Sequence, residues 1–161
     1  MTVQDEPALG EKMLRRWQRL SALPGGRHLF SFMLGRYAPY SGSIGALVTD
    51  VRPGFARVEL RDRRKVRNHL NCIHAIALMN LGEVTTGLAL LSGLKPGVRG
   101  IITGLSIEYF KKARGRLVSL AETRQPEVND DMEYDVHAEI KDQSGEVVAH
   151  CTAKWRLGLI P

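Results

Sequence analysis

The segment from Asn71 to Gly93, NCIHAIALMNLGEVTTGLALLSG, repeats apolar residues at Ile73, Ile76, Ala77, Leu81, Val84, Leu88 and Leu91, a three-to-four spacing that predicts a helix. Much of its remaining surface is apolar too. A helix that is hydrophobic nearly all round belongs inside a fold, so the rest of the chain has to wrap around this segment. Glu83 is the only carboxylate in it, and no Lys or Arg lies on the same stretch. A carboxylate taken out of water without a partner is costly, and burial raises its pKa unless a polar surface or a ligand meets it. Glu83 is therefore the first candidate functional residue.

With 161 residues, 43% of them hydrophobic and 25% charged, the chain suits one globular domain over 1–161 and leaves no room for a second. No apolar run has the length that spans a bilayer. The start, MTVQDEPALGEKMLRRW, is acidic and polar before it turns basic, unlike a secretory signal, so a cytoplasmic location away from membranes is expected. The two cysteines, Cys72 and Cys151, form no CxxC pair or metal-ligand cluster; both read as reduced core residues, and no metal site is expected.

The net charge of +6 favours an anionic partner. Basic residues gather in DRRKVRN (Arg61, Arg63, Arg64, Lys65, Arg67), in KKARGR (Lys111, Lys112, Arg114, Arg116) and along Lys12, Arg15, Arg16 and Arg19. The plainer reading of each run is a solvated face or turn. Nucleic acid is not the expected partner, because no recognised motif accompanies the runs and only 6% of residues are aromatic, few for stacking platforms.

Residues 10–22 predict an amphipathic helix with Met13, Leu14, Trp17 and Leu20 on one side, and 27–36 a second. Pro39 and Gly42 then read as a break. Alternating residues in GSIGALVTDVRPG and FARVELRDR predict a hairpin turning at Arg52-Pro53-Gly54, ahead of the apolar helix. Four strands follow, in GIITGLSIEYF, RLVSLAETR, MEYDVHAEIKD and EVVAHCTAKWRL. The class predicted is α+β, with a largely antiparallel sheet. The alternation of Tyr134, Val136, Ala138 and Ile140 with Glu133, Asp135, His137 and Glu139 leaves the sheet one apolar face for the helix.

The stretch RNHLNCIHAIALMNLGEVTTG resembles the central motif of hotdog-fold acyl-CoA thioesterases, especially the phenylacetate-pathway (PaaI-type) branch. In those relatives an Asn precedes a His-Gly-Gly at the start of the central helix, and an acid follows about two and a half turns on; Asn68, His74 and Glu83 match. The likeness spans 42–157 as a hotdog core, with 1–40 as an N-terminal helical extension. The chain departs from it at Ala75-Ile76, where relatives have Gly-Gly, and at Ile102, where some carry Ser or Thr; Thr103, one residue on, would face the other side of its strand. The resemblance implies a homodimer or homotetramer with composite sites. Helix arithmetic agrees: nine residues separate His74 from Glu83, roughly 13 Å and half a turn apart on one helix, so a shared site needs two chains or a His74 ahead of the helix.

Under this resemblance Glu83 activates water or attacks the acyl carbon, and the Ala75 N-H at the helix start stabilises the oxyanion, with His74 in support. Asn68 orients water or the carbonyl. Arg114 and Arg116, or the run from Arg63 to Arg67, hold the phosphates of coenzyme A, which is part of the substrate, and no other cofactor is implied. Gly87, a turn beyond Glu83, suggests close approach by an acyl chain or another backbone. Plainer readings exist: Glu83 as an interface acid or the partner of an Arg, His74 as a structural histidine, Asn68 as a turn residue, Gly82 and Gly87 as contacts for a partner helix, and Tyr109, Phe110 and Trp155 as core or interface residues. The alternative functions are a non-catalytic acyl-binding or regulatory hotdog protein and, with no motif in its favour, a hydratase.

Overall fold

The computed structural model describes residues 9–160; the acidic start of the chain, with which the ranges 1–161 and 1–40 begin, and residue 161 lie outside the described residues. Helices α1 (Leu9–Ser21) and α2 (Gly26–Tyr37) precede a single-turn helix α3 (Pro39–Gly42). Strands β1 (Leu47–Arg52) and β2 (Phe55–Leu60) form the hairpin, the long helix α4 spans Ala75–Leu91, and β3 (Val98–Tyr109), β4 (Leu117–Glu122), β5 (Met132–Lys141) and β6 (Val147–Leu159) complete the chain. The sheet order is β1-β2-β4-β5-β6-β3, antiparallel at every pairing.

The alternation read in β5 places Val136, Ala138 and Ile140 in the core and Glu133, Asp135, His137 and Glu139 in solvent. α4 lies across that apolar face, with Leu81, Leu88 and Ala89 buried against β2, β4 and β6, and Leu90 against Val136, Trp155 and Leu157. The closest approach is at Gly82, where a Cβ would lie 2.5 Å from the Cys151 Cβ and Sγ. Gly82 thus serves the fit of helix to sheet, in place of the partner-helix contact considered from sequence. A long helix wrapped on one side by an antiparallel sheet is the expected α+β hotdog arrangement.

α4 starts later than the apolar pattern suggests. Asn71 has φ 55°, a left-handed conformation incompatible with helix, and the Asn68 Oδ1 accepts from the Leu70 and Cys72 N-H groups at 3.0 and 3.4 Å. His74, extended at ψ 140°, is the N-cap, and its Nδ1 accepts from the Ile76 N-H at 3.0 Å. A second difference is α3, which occupies the expected break: Pro39 suits a first helical turn, and a Cβ on Gly42 would lie 2.5 Å from the Gly35 Cα, so α3 folds tightly against α2.

The N-terminal helices are fastened to this core. Trp17 meets Phe30 edge-on, ring centroids 5.1 Å apart, joining α1 to α2. Gly10 abuts the Leu91 carbonyl at the end of α4, with no room for a Cβ. Ser31 of α2 accepts from the Val48 N-H at 2.9 Å and ties α2 to β1. At the other end of the sheet β3 is an edge strand that exposes Ile101 and Tyr109, with Phe110 just beyond it. Among the described residues, no helix is long and apolar enough to cross a membrane.

Candidate functional site

Glu83 projects from the middle of α4 towards the N-terminal helices. It is half-buried, and the Ser41 hydroxyl of α3 donates to its Oε2 at 3.2 Å. Burial pushes the Glu83 carboxyl above its ordinary value, and the Ser41 hydrogen bond pulls part of the way back. α3 is held over α4 by Asn80, a buried residue whose Nδ2 donates to the Tyr40 carbonyl at 3.1 Å. Asn80 therefore places Ser41, and Ser41 meets the acid.

The same carboxylate lines a cavity of about 360 Å³ between α1, α2 and α4. Its wall is chiefly apolar, from Met13, Phe30, Met33, Leu34, Leu88 and Trp155, with Lys12 and Arg16 of α1 also on it. Glu83 is the only acid among its lining residues. Gly87 lies on this wall, where an added Cβ would come within 3.6 Å of the Trp155 ring. The Gly thus leaves open space beside an aromatic ring.

Cys151 lies under the same turn of α4, and burial first, then the negative charge of Glu83, pushes its thiol up to about 11. It stays protonated at neutral pH and is a core residue without nucleophilic character. Among the described residues no three His, Cys, Asp or Glu side chains converge as metal ligands.

The structure separates the remaining sequence candidates from Glu83. The exposed His74 and the half-buried Ala75 mark the start of α4, where the first-turn N-H groups have no intrahelical acceptor. The Tyr109 hydroxyl donates to the Ala75 carbonyl at 3.0 Å and ties that start to β3. Asn68 spends its side-chain carbonyl on the turn before the helix. Thr103 falls at a bulge between Ile102 and Gly104 and reaches the Lys154 carbonyl at 3.4 Å, while Ile102 packs with Leu90 and Trp155. No strand hydroxyl stands at Ile102.

The four arginines are also dispersed. Arg67 pairs with Asp62 at 2.6 Å and with the Asn71 side chain, holding the Asp62 carboxyl below the usual carboxylate range together with the Gly115 N-H. Arg116 lies 3.7 Å from Glu59, and Arg114 is exposed. Arg63 donates to the Ile44 and Gly45 carbonyls at 2.6 and 3.3 Å and lines a second cleft beside α3. Ser41 is the residue that the sequence did not single out; it stands between Pro39 and Gly42, where local pattern signals only a turn.

A family model described as a domain of unknown function, DUF4442, matches residues 26–157, and so takes in α2 and α3. No curated protein matches the chain. Among solved structures, a structural-genomics protein, APC5556, superposes with a TM-score of 0.80 and 28% identity, over 95% of this chain and 100% of that one. PA5026 of Pseudomonas aeruginosa, a protein of unknown function described as a probable thioesterase, superposes with a TM-score of 0.73 at 21% identity, covering 86% and 97%. A thioesterase-family protein from Silicibacter pomeroyi gives a TM-score of 0.68 at 16% identity, covering 81% and 96%. These likenesses carry the fold.

Proposed function

The chain belongs to the family described as a domain of unknown function, DUF4442, and from that premise we propose that it hydrolyses acyl-CoA thioesters, with Glu83 as the catalytic carboxylate. The observation that carries this reading is a single acid, raised in pKa by burial, on the wall of a chiefly apolar cavity roofed by the N-terminal helices. An acyl chain fills that cavity and brings its thioester carbon to the carboxylate. Water adds to the carbonyl carbon, the carbon-sulfur bond breaks, and the departing sulfur takes a proton, giving a free acid and a thiol. Glu83 either draws the proton from that water or attacks the carbonyl carbon itself through an anhydride.

The oxyanion needs donors that Glu83 cannot supply. The N-H groups at the start of α4, from Ala75 onward, suit it, but Ala75 lies eight residues from Glu83 along the same helix. A homodimer supplies them: His74 and Ala75 of a second copy face the Glu83 of the first, with Asn68 shaping the loop that leads to them. The exposed edge strand β3, with Ile101, Leu105 and Tyr109, and the neighbouring exposed Ile76 on α4 support an interface on this flank. The spacing of Asn68, His74 and Glu83 supports kinship with the PaaI-type branch.

Complementation tests the composite site. Ala75 is the first residue of α4 and His74 before it is extended, so Ala75→Pro removes the N-H at a position where proline is tolerated. Ala75→Pro and Glu83→Ala proteins are each expected to be inactive on acyl-CoA, and to regain activity when unfolded and refolded together. Two inactive proteins that stay inactive after co-refolding into dimers would contradict the shared site.

A further inference from the structure

Beside the apolar cavity, α2, α3 and the β1–β2 hairpin enclose a second cleft of about 530 Å³. The two share Leu34, Ser41 and Val84, so they meet where the Ser41 hydroxyl holds the Glu83 carboxylate. Resting on the thioesterase reading, we infer that this second cleft binds the nucleotide end of coenzyme A, with Arg36 and Arg61 on its phosphates and Phe32 against its base.

Charge comes first. Arg36, Arg61, Arg63 and His28 line the cleft against one acid, Glu59, which already faces Arg57 at 3.2 Å and Arg116 at 3.7 Å. Arg63 is committed to the Ile44 and Gly45 carbonyls and fixes the floor; Gly45, at φ 59°, holds the conformation that receives it. Arg36 and Arg61 are exposed, and among the described residues neither side chain makes an ion pair or hydrogen bond. Two guanidinium groups free to converge on one concavity suit phosphate oxygens, which accept bidentate, charge-assisted hydrogen bonds.

Shape supplies the base. His28, Phe32 and Arg36 recur every four residues on α2 and all line the cleft, so they form one stripe. Phe32 is 66% exposed, a large aromatic surface in a polar cleft that a heterocycle can cover by stacking. A ligand threaded through both cavities then runs from acyl chain to thioester at Glu83, and onward to a phosphorylated nucleotide beside Phe32. The concave form favours this small molecule over the broad surface of a carrier protein.

Binding of free coenzyme A and of pantetheine, the same thiol without the nucleotide, separates this inference from the hydrolysis reading. Calorimetry with the wild-type protein should show coenzyme A binding tighter than pantetheine, an advantage that weakens with added salt. The Arg36→Ala/Arg61→Ala protein should lose about tenfold or more in affinity for coenzyme A. Phe32→Ala should weaken coenzyme A as well and leave pantetheine unchanged. Arg124→Ala, an exposed cation outside the cleft, controls for net charge and should bind as wild type. Equal binding of the two thiols by wild type, or full affinity in the double variant with its thermal melt intact, overturns the nucleotide site. Preference for an acyl-carrier protein over acyl-CoA overturns it too. If coenzyme A binds as described but no thioester is cleaved, the nucleotide site stands and the hydrolysis reading falls.

Discussion

The Ser41 hydroxyl donates to the Glu83 carboxylate across 3.2 Å, joining residues 42 positions apart in sequence. It is the one hydrogen bond to that carboxylate among the described residues, and it opposes the upward push of burial.

Removing it leaves burial unopposed. Ser41→Ala is expected to move the acid limb of kcat/KM to higher pH, because the proposed role of Glu83 needs its ionised form and the neutral form is then favoured further. In wild type that limb is expected above the ordinary carboxylate value of 4.5, since burial raises the Glu83 carboxyl. A pH-rate profile of both proteins checks this, and an unmoved midpoint contradicts the role of Ser41.

Glu83 also ties activity to stability. Its folded pKa is raised, so its contribution to stability is fully present below the unfolded value of 4.5 and is lost as pH rises through the folded value. Glu83→Gln keeps an acceptor for Ser41 and removes the charge. Its Tm near neutral pH should rise by roughly 2–4 °C, the shift that about 1 kcal/mol produces in a domain of this size, and the gain should vanish below about pH 4. Thermal melts at the two pH values decide it. A loss of stability at neutral pH would show that the carboxylate is paired with a cation.

Asn80 acts through Ser41. Asn80→Ala frees the Tyr40 carbonyl and loosens α3 over α4, so it should displace the pH profile in the same direction as Ser41→Ala. The double variant should shift no further than Ser41→Ala alone, since both changes break one connection. Additive shifts would separate the two residues.

Under the proposed function Gly87 sets how much room the acyl chain has. A side chain there enters the cavity beside Trp155, at ordinary contact distance. Gly87→Val is expected to lower kcat/KM for the longest acyl chains by about tenfold or more and to spare short ones, because one or two methylenes decide the fit of an apolar pocket. Equal losses at all lengths would place the acyl chain elsewhere.

The layers of the fold were legible because their signals are periodic. β5 alternates as predicted, the hairpin turns at Pro53-Gly54, and α4 carries apolar residues on every face. The start of α4 was not legible, since Cys72 and Ile73 continue the apolar pattern while Asn71 turns left-handed, and conformation of that kind leaves no periodic trace. Glu83 stood out as an acid among apolar residues, but its partner did not. Ser41 reaches it only because Asn80 and the tight packing of Gly42 on Gly35 fold α3 over α4, a tertiary relation between segments 40 residues apart in sequence. The partners of the arginines were hidden for a similar reason: Asp62 pairs with Arg67 and Glu59 lies 3.7 Å from Arg116, and sequence proximity does not show which acids lie across a loop.

The proposed function stands on cleavage of a thioester by the Glu83 carboxylate. Release of free thiol from a panel of short, long and aromatic acyl-CoA esters, by wild-type and Glu83→Ala proteins with matched folding, tests it most directly. Wild type should cleave at least one aliphatic ester, and the variant should be slower by about 10² to 10⁴-fold. A wild-type protein that cleaves none of them, or a Glu83→Ala protein that keeps the full rate, would contradict the account.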